Sequence, residues 1–163
     1  MMPEMAGIRA GGPKADDMWA PKLFTIGYQA LTPPELVKRL KNAGVERVVD
    51  VRELPLSRRR GFSKSPLAAT LEAAGIEYEH VRELGNPKPT RDRYKSGDIE
   101  GGAREYRAHL HNGSYPALIE LAESLADVKT CLLCLEASHN DCHRAVIAGA
   151  VAERLAAVSV VHL

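Results

Sequence analysis

The chain has 163 residues, 45% of them hydrophobic and 26% charged, with a net charge of +1. That length suits one domain able to bury a real core, and the composition excludes a disordered chain. The near balance of charge excludes nucleic-acid binding by bulk electrostatics, though not a local basic patch, and no apolar run reaches the roughly 18 residues of a membrane span. The cysteines, Cys131, Cys134 and Cys142, are odd in number and close together. They are no disulfide framework, and they point to a reducing, cytoplasmic setting. Residues 1–20 lack the apolar core of a signal peptide and read as a flexible tail, with Trp19 a candidate to pin its end. Residues 21–163 read as a single domain.

In chain order, Lys22–Tyr28 is a short β-rich run ending near a glycine and predicts a first strand. Thr32, Pro33, Pro34 and Glu35 make a helix start: a capping residue, prolines tolerated in the first turn, then an acid. Leu36, Val37, Leu40 and Ala43 recur at helical spacing, and Gly44 closes the helix. Val45–Val51 predicts a second, buried strand. An arginine-dense loop over Arg52–Ser65 leads to a short helix over Pro66–Ala74, and Ile76–Val81 alternates like a strand. Glu83–Gly102, rich in glycine and proline, shows no period and predicts a long irregular segment, a lid or binding loop. Helices are expected over Ala103–His111 and Pro116–Leu125, a strand over Val128–Glu136, a helix over Asp141–Leu155 and a last strand over Val158–Leu163. The order βαβαβααβαβ predicts an α/β domain: a mainly parallel sheet of about five strands, flanked by helices on both faces.

Ligands of such sheets bind outside the carboxyl ends of the strands. Those ends carry Gly27-Tyr28-Gln29, Asp50-Val51-Arg52, Glu83-Leu84-Gly85-Asn86 and Cys134-Leu135-Glu136. Alternation along a strand puts Cys134 and Glu136 on one side and Cys131 on the other. Cys131 and Cys134 are therefore not a redox pair, and Cys131 reads as core. Asn140 or Asp141 would cap the following helix, placing Cys142 and His143 in its first turn, where helix N–H groups favour a thiolate and, with Arg144, an anion. The structural alternative has Cys142 and His143 merely packed. The candidate catalytic residues are Cys134, Glu136, Cys142, His143 and Asp50. Those for substrate binding are Arg52, Arg144, Tyr28, Ser57, Arg58, Lys64, His80 and Asn86, with Tyr94 a further lining candidate. Asp50 would orient His143 or act as acid or base, and Arg52 would hold an anion, unless the two form a structural network. Cys134, His139, Cys142 and His143, with Glu136, are zinc-ligand types, but their spacing matches no standard zinc pattern, and the sequence requires no cofactor.

With these residues set out, the chain resembles the family called domain of unknown function 488. The resemblance rests on Thr25-Ile26-Gly27-Tyr28, Val49-Asp50-Val51-Arg52 with Pro55, Ser57 and Arg58, and Gly61-Phe62-Ser63-Lys64. It continues through Tyr78, His80, Leu84-Gly85-Asn86-Pro87, Leu133-Cys134-Leu135-Glu136 and Cys142-His143-Arg144. It implies a fold and a motif set without a reaction. Gln29-Ala30 departs from an acid and a glycine that relatives often carry there. A looser likeness links Val49–Glu53 and the strand-end cysteine to rhodanese-like sulfurtransferases and cysteine phosphatases, which cradle a thiolate before a helix. Here nine residues, none of them glycine, separate Cys134 from Arg144.

Three functional readings stay open. The leading one is an enzyme whose Cys/Glu/His/Arg pocket acts on a phosphate-bearing or nucleic-acid-derived substrate. The second is rhodanese-like sulfur transfer, and the third a non-catalytic module that holds nucleic acid or a protein through the arginine-rich loop. Partners are thus an anionic small molecule or nucleic acid and not a membrane, and no residue pattern selects an oligomeric state.

Overall fold

The computed structural model describes residues 20–163; the tail expected over residues 1–20, apart from Ala20, and the reading of Trp19 lie outside them. Five strands, β1 (Lys22–Gly27), β2 (Arg47–Asp50), β3 (Glu77–His80), β4 (Thr130–Cys134) and β5 (Ser159–His162), pair in parallel in the order β3-β2-β4-β1-β5. Six α-helices accompany them among the described residues: α1 (Pro33–Ala43), α2 (Lys64–Ala73), α3 (Lys88–Lys95), α4 (Ile99–Asn112), α5 (Tyr115–Ser124) and α6 (Arg144–Arg154).

Strand alternation divides the interior into two cores. Phe24, Ile26, Val48, Cys131 and Leu133 meet Leu36 and Leu40 of α1 and Leu67 and Leu71 of α2. Leu23, Val49, Leu132 and Cys134 meet Tyr106 and Leu110 of α4, Leu118 and Leu121 of α5, and Ile147 and Val151 of α6. Helices therefore cover both faces, as a parallel sheet with nearly continuous apolar strands requires. The segments after β1 and β2 pass over one face, whereas α6, after β4, lies on the other. β4 sits between β1 and β2, so the crevice expected where connections diverge falls at its carboxyl end.

The start of α1 follows the expected chemistry: Glu35 N–H donates to Thr32 Oγ1, Thr32 N–H donates to the Glu35 carboxylate, and Gly44 ends the helix at φ 77°. Thr32→Ala is expected to cost about 1 kcal/mol; urea denaturation checks this, and an unchanged midpoint would show the cap to be idle.

Two expectations need correction. The stretch over Glu83–Gly102 is largely helical, comprising a 3₁₀ turn at Arg82–Leu84, all of α3 and the start of α4. The periodic signal was weak because α3 buries only Thr90 and Tyr94. Gly101-Gly102 does not break α4: Asp98 caps it through the Gly101 N–H, and a Cβ on Gly102 would stand 2.9 Å from the Tyr94 ring, so the missing side chain admits that ring. The second correction concerns the helix expected from Asp141. Residues His139–Asp141 form a 3₁₀ turn, Cys142 is extended, and α6 starts only at Arg144. Cys142 and His143 thus precede the helix instead of occupying its first turn.

Candidate functional site

Cys134 ends β4 opposite Gly27 of β1. Pairing runs on beyond the strands, because Tyr28 and Gln29 donate their N–H groups to the carbonyls of Cys134 and Leu135. A Cβ on Gly27 would lie 1.6 Å from the Glu136 carbonyl oxygen, so only glycine lets the chain turn over β1 at this point. The turn brings residue 136 back above residue 134, and the 3₁₀ turn returns Cys142 to the same place.

The result is a compact cluster. Cys134 Sγ lies 3.2 Å from Glu136 Oε2, and the Sγ atoms of Cys134 and Cys142 touch. Ligand atoms of Cys134, Glu136 and Cys142 all lie within 4.8 Å of one another. Arg144, 1% exposed, donates from Nη1 to Cys134 Sγ at 2.8 Å and to the Glu136 carbonyl at 2.6 Å; Nη2 donates to the Ala137 carbonyl. Its Nε has no partner. Burial lowers the pKa of the guanidinium, and the nearby Glu136 carboxylate opposes that shift. His143 is held to β2 by a hydrogen bond from Nε2–H to the Val51 carbonyl at 2.7 Å and packs edge-on to Tyr106. Burial lowers its pKa to about 4, so it is neutral at pH 7. With Nε2 protonated, Nδ1 presents a lone pair to the Cys142 thiol 3.5 Å away. Beyond Glu136, burial first, then the Glu136 charge, raises Tyr94 to about 12 despite Arg107.

Asp50 and Arg52 form a separate group. Arg52 grips both oxygens of the fully buried Asp50, from Nε at 2.8 Å and Nη2 at 2.6 Å, and Nη1 donates to Tyr28 Oη and the Phe62 carbonyl. Tyr78 Oη adds a hydrogen bond to Asp50 Oδ2 at 2.6 Å. Burial opposes the charge of Arg52, but the Asp50 pair prevails and raises its pKa; burial, aided by Asp50, raises that of Tyr78. Asp50 stands in register with Leu133, whose side chain belongs to the core opposite Cys134. The ion pair and the sulfur cluster therefore occupy opposite faces of the sheet. Asp50 does not orient His143; the Val51 carbonyl does.

Of the remaining candidates, Tyr28 is buried and stacked on Phe62 at 4.5 Å. Ser57 binds Ser63 and the Arg59 N–H, which shapes the loop, and His80 Nε2 bonds the Arg52 carbonyl. Arg58 and Lys64 are exposed. Asn86 is buried with Oδ1 unpartnered, away from the cluster's hydrogen bonds. Sequence reasoning missed Arg59, which clamps the carbonyls of Tyr28, Gln29 and Leu31, and it named Tyr78 only within the family resemblance, without its role as a partner of Asp50. A cleft of about 500 Å³ beside β3, lined by Glu79, His80, Glu83 and Leu121 among others, includes none of the cluster residues.

No curated protein and no solved structure matches the chain. A family model described as "Domain of unknown function DUF488" matches residues 32–151, which include Asp50, Arg52 and the whole sulfur cluster, and the chain belongs to that family.

Proposed function

We propose that the chain is a thiol enzyme of the sulfur-transfer kind, with Cys134 as nucleophile and a low-mass persulfide as donor. The observation that carries this reading is the contact of Arg144 with Cys134 Sγ. Arg144 is buried and forms no ion pair with a carboxylate among the described residues. A buried cation needs a counter-charge nearby, and a thiolate at Cys134 supplies one in its nucleophilic form. Glu136, hydrogen-bonded to the same sulfur, is placed to take the thiol proton.

The thiolate attacks the outer sulfur of a donor R–S–SH. The donor S–S bond breaks, RS⁻ leaves with the electron pair, and Cys134 becomes Cys134–S–SH. An acceptor thiolate then attacks that outer sulfur, and the Cys134 thiolate leaves. Cys134 and Cys142 are each only 2% exposed, which restricts the donor to small molecules.

The reading with a phosphate-bearing substrate has less support, since Arg52 is held by Asp50, Tyr28 and Phe62, and both terminal nitrogens of Arg144 are engaged by the cluster itself. Incubation of the reduced protein with a small persulfide, followed by intact-mass and peptide analysis, tests the proposal. One added sulfur atom is expected on Cys134, lost in Cys134→Ser and reduced at least about tenfold in rate in Arg144→Lys, whose point charge cannot reproduce the guanidinium fork. An unmodified Cys134 would remove the reading.

A further inference from the structure

We infer that Cys134, Cys142 and Glu136 form a binding site for one thiophilic divalent cation of the zinc class, with Arg144 as its outer partner and a fourth position open. This shares with the proposal above the assignment of Cys134 as a thiolate, and it adds a regulator of the same sulfur. Two sulfurs and one carboxylate oxygen, all within 4.8 Å of one another, match the donor types zinc prefers. Two sulfurs around a tetrahedral zinc stand about 3.8 Å apart, given Zn–S bonds of about 2.3 Å. The Cα atoms of Cys134 and Cys142 are 7.7 Å apart. That separation exceeds the roughly 4.4–6.8 Å usual for a disulfide, and the two sulfurs, in contact here, have to part to about the tetrahedral spacing to share an ion.

Charge points the same way. Two thiolates and a carboxylate carry three negative charges, and a divalent cation with the Arg144 guanidinium carries three positive ones. The centre is then neutral, as a buried site must nearly be. Without the cation, Arg144 alone faces all three acidic groups.

The surroundings are those of an outer shell. Arg144 donates to Cys134 Sγ, the hydrogen bond that tunes a metal-bound thiolate, while His143, fixed by the Val51 carbonyl, sits against Cys142 Sγ. Among the described residues no fourth His, Cys, Asp or Glu joins the group, so one position is left for water or a small ligand. A cation held here caps Cys134, so metal loading and persulfide formation exclude each other.

The full-length protein, reduced and stripped with a chelator, is titrated with cobalt(II). One equivalent is expected to bind with a sulfur-to-cobalt charge-transfer band in the near ultraviolet. That band should vanish in Cys142→Ser, and Glu136→Gln, at a half-buried position that keeps the fold, should weaken binding at least about tenfold. Cys131→Ser, on the opposite face, should bind as the parent does. Zinc should suppress persulfide formation on Cys134 and release it on chelation. Absence of the band, or a band that persists in Cys142→Ser, overturns the inference while leaving the sulfur-transfer reading to its own test. Stoichiometric binding to a protein that forms no persulfide upholds the metal site and removes the sulfur-transfer reading instead.

Discussion

Asp50→Ala is expected to cost about 3–5 kcal/mol of folding stability, the range for removing one partner of a buried ion pair. The size follows from what remains. The Arg52 guanidinium would stay buried with only Tyr28 Oη and the Phe62 carbonyl as acceptors, and Tyr78 Oη would lose its hydrogen bond. The pair is also the brace of the loop after β2, because Arg52 Nη1 reaches the Phe62 carbonyl across that loop and Phe62 stacks on Tyr28. Equilibrium urea unfolding of the parent, Asp50→Ala, Arg52→Met and the double variant measures this. The double variant should be less destabilised than the sum of the single ones, since it leaves no unpaired charge. A single-variant cost below about 1 kcal/mol, the value of an exposed pair, would show that water reaches the site.

Gly27→Ala is expected to be the most damaging glycine-to-alanine change among the described residues. The new Cβ would overlap the Glu136 carbonyl, and the neighbouring contacts to the carbonyl carbon and to Ala137 N are also under 3.0 Å, so backbone has to move. Overpacking usually costs about 1–3 kcal/mol. Displacement of residue 136 would also pull the Glu136 carboxylate from Cys134 and the Glu136 carbonyl from Arg144. Stability and cobalt affinity should therefore fall together. A variant with parental stability and intact cobalt binding would contradict the close approach.

The fold was readable because period and punctuation agreed. Thr32 and Gly44 bracket a helix that the apolar spacing already required, and VERVVDV and TCLLC are too apolar for anything but buried strands. Prolines and glycines hid α3 and the start of α4, where the Tyr94 ring packs over Gly102 in place of a regular apolar stripe. At the site, alternation alone put Cys134 beside Glu136 and Cys131 on the far side, as the two cores show. Alternation says nothing about register between strands. Asp50 therefore looked like a wall of the same pocket, whereas its alignment with Leu133 turns it to the other face. The meeting of Cys142 with Cys134 was equally hidden, because it depends on a 3₁₀ turn that delays the helix by one turn.

The strand order also governs when the site comes into being. β1 pairs only with β4 and β5, both drawn from the last third of the chain, and β1 and β2 do not touch through hydrogen bonds. A chain emerging from the ribosome can make α1, β2, α2 and β3, yet its first strand waits without a neighbour until residues 130–134 are free. Closure of so non-local a sheet is slow compared with helix formation, and the central strand that joins β1 to β2 carries Cys134 and delivers Glu136, Cys142 and Arg144 directly behind. The sulfurs are thus assembled beside their guanidinium in the step that joins β1 to the rest of the sheet, and shorter nascent chains present them apart.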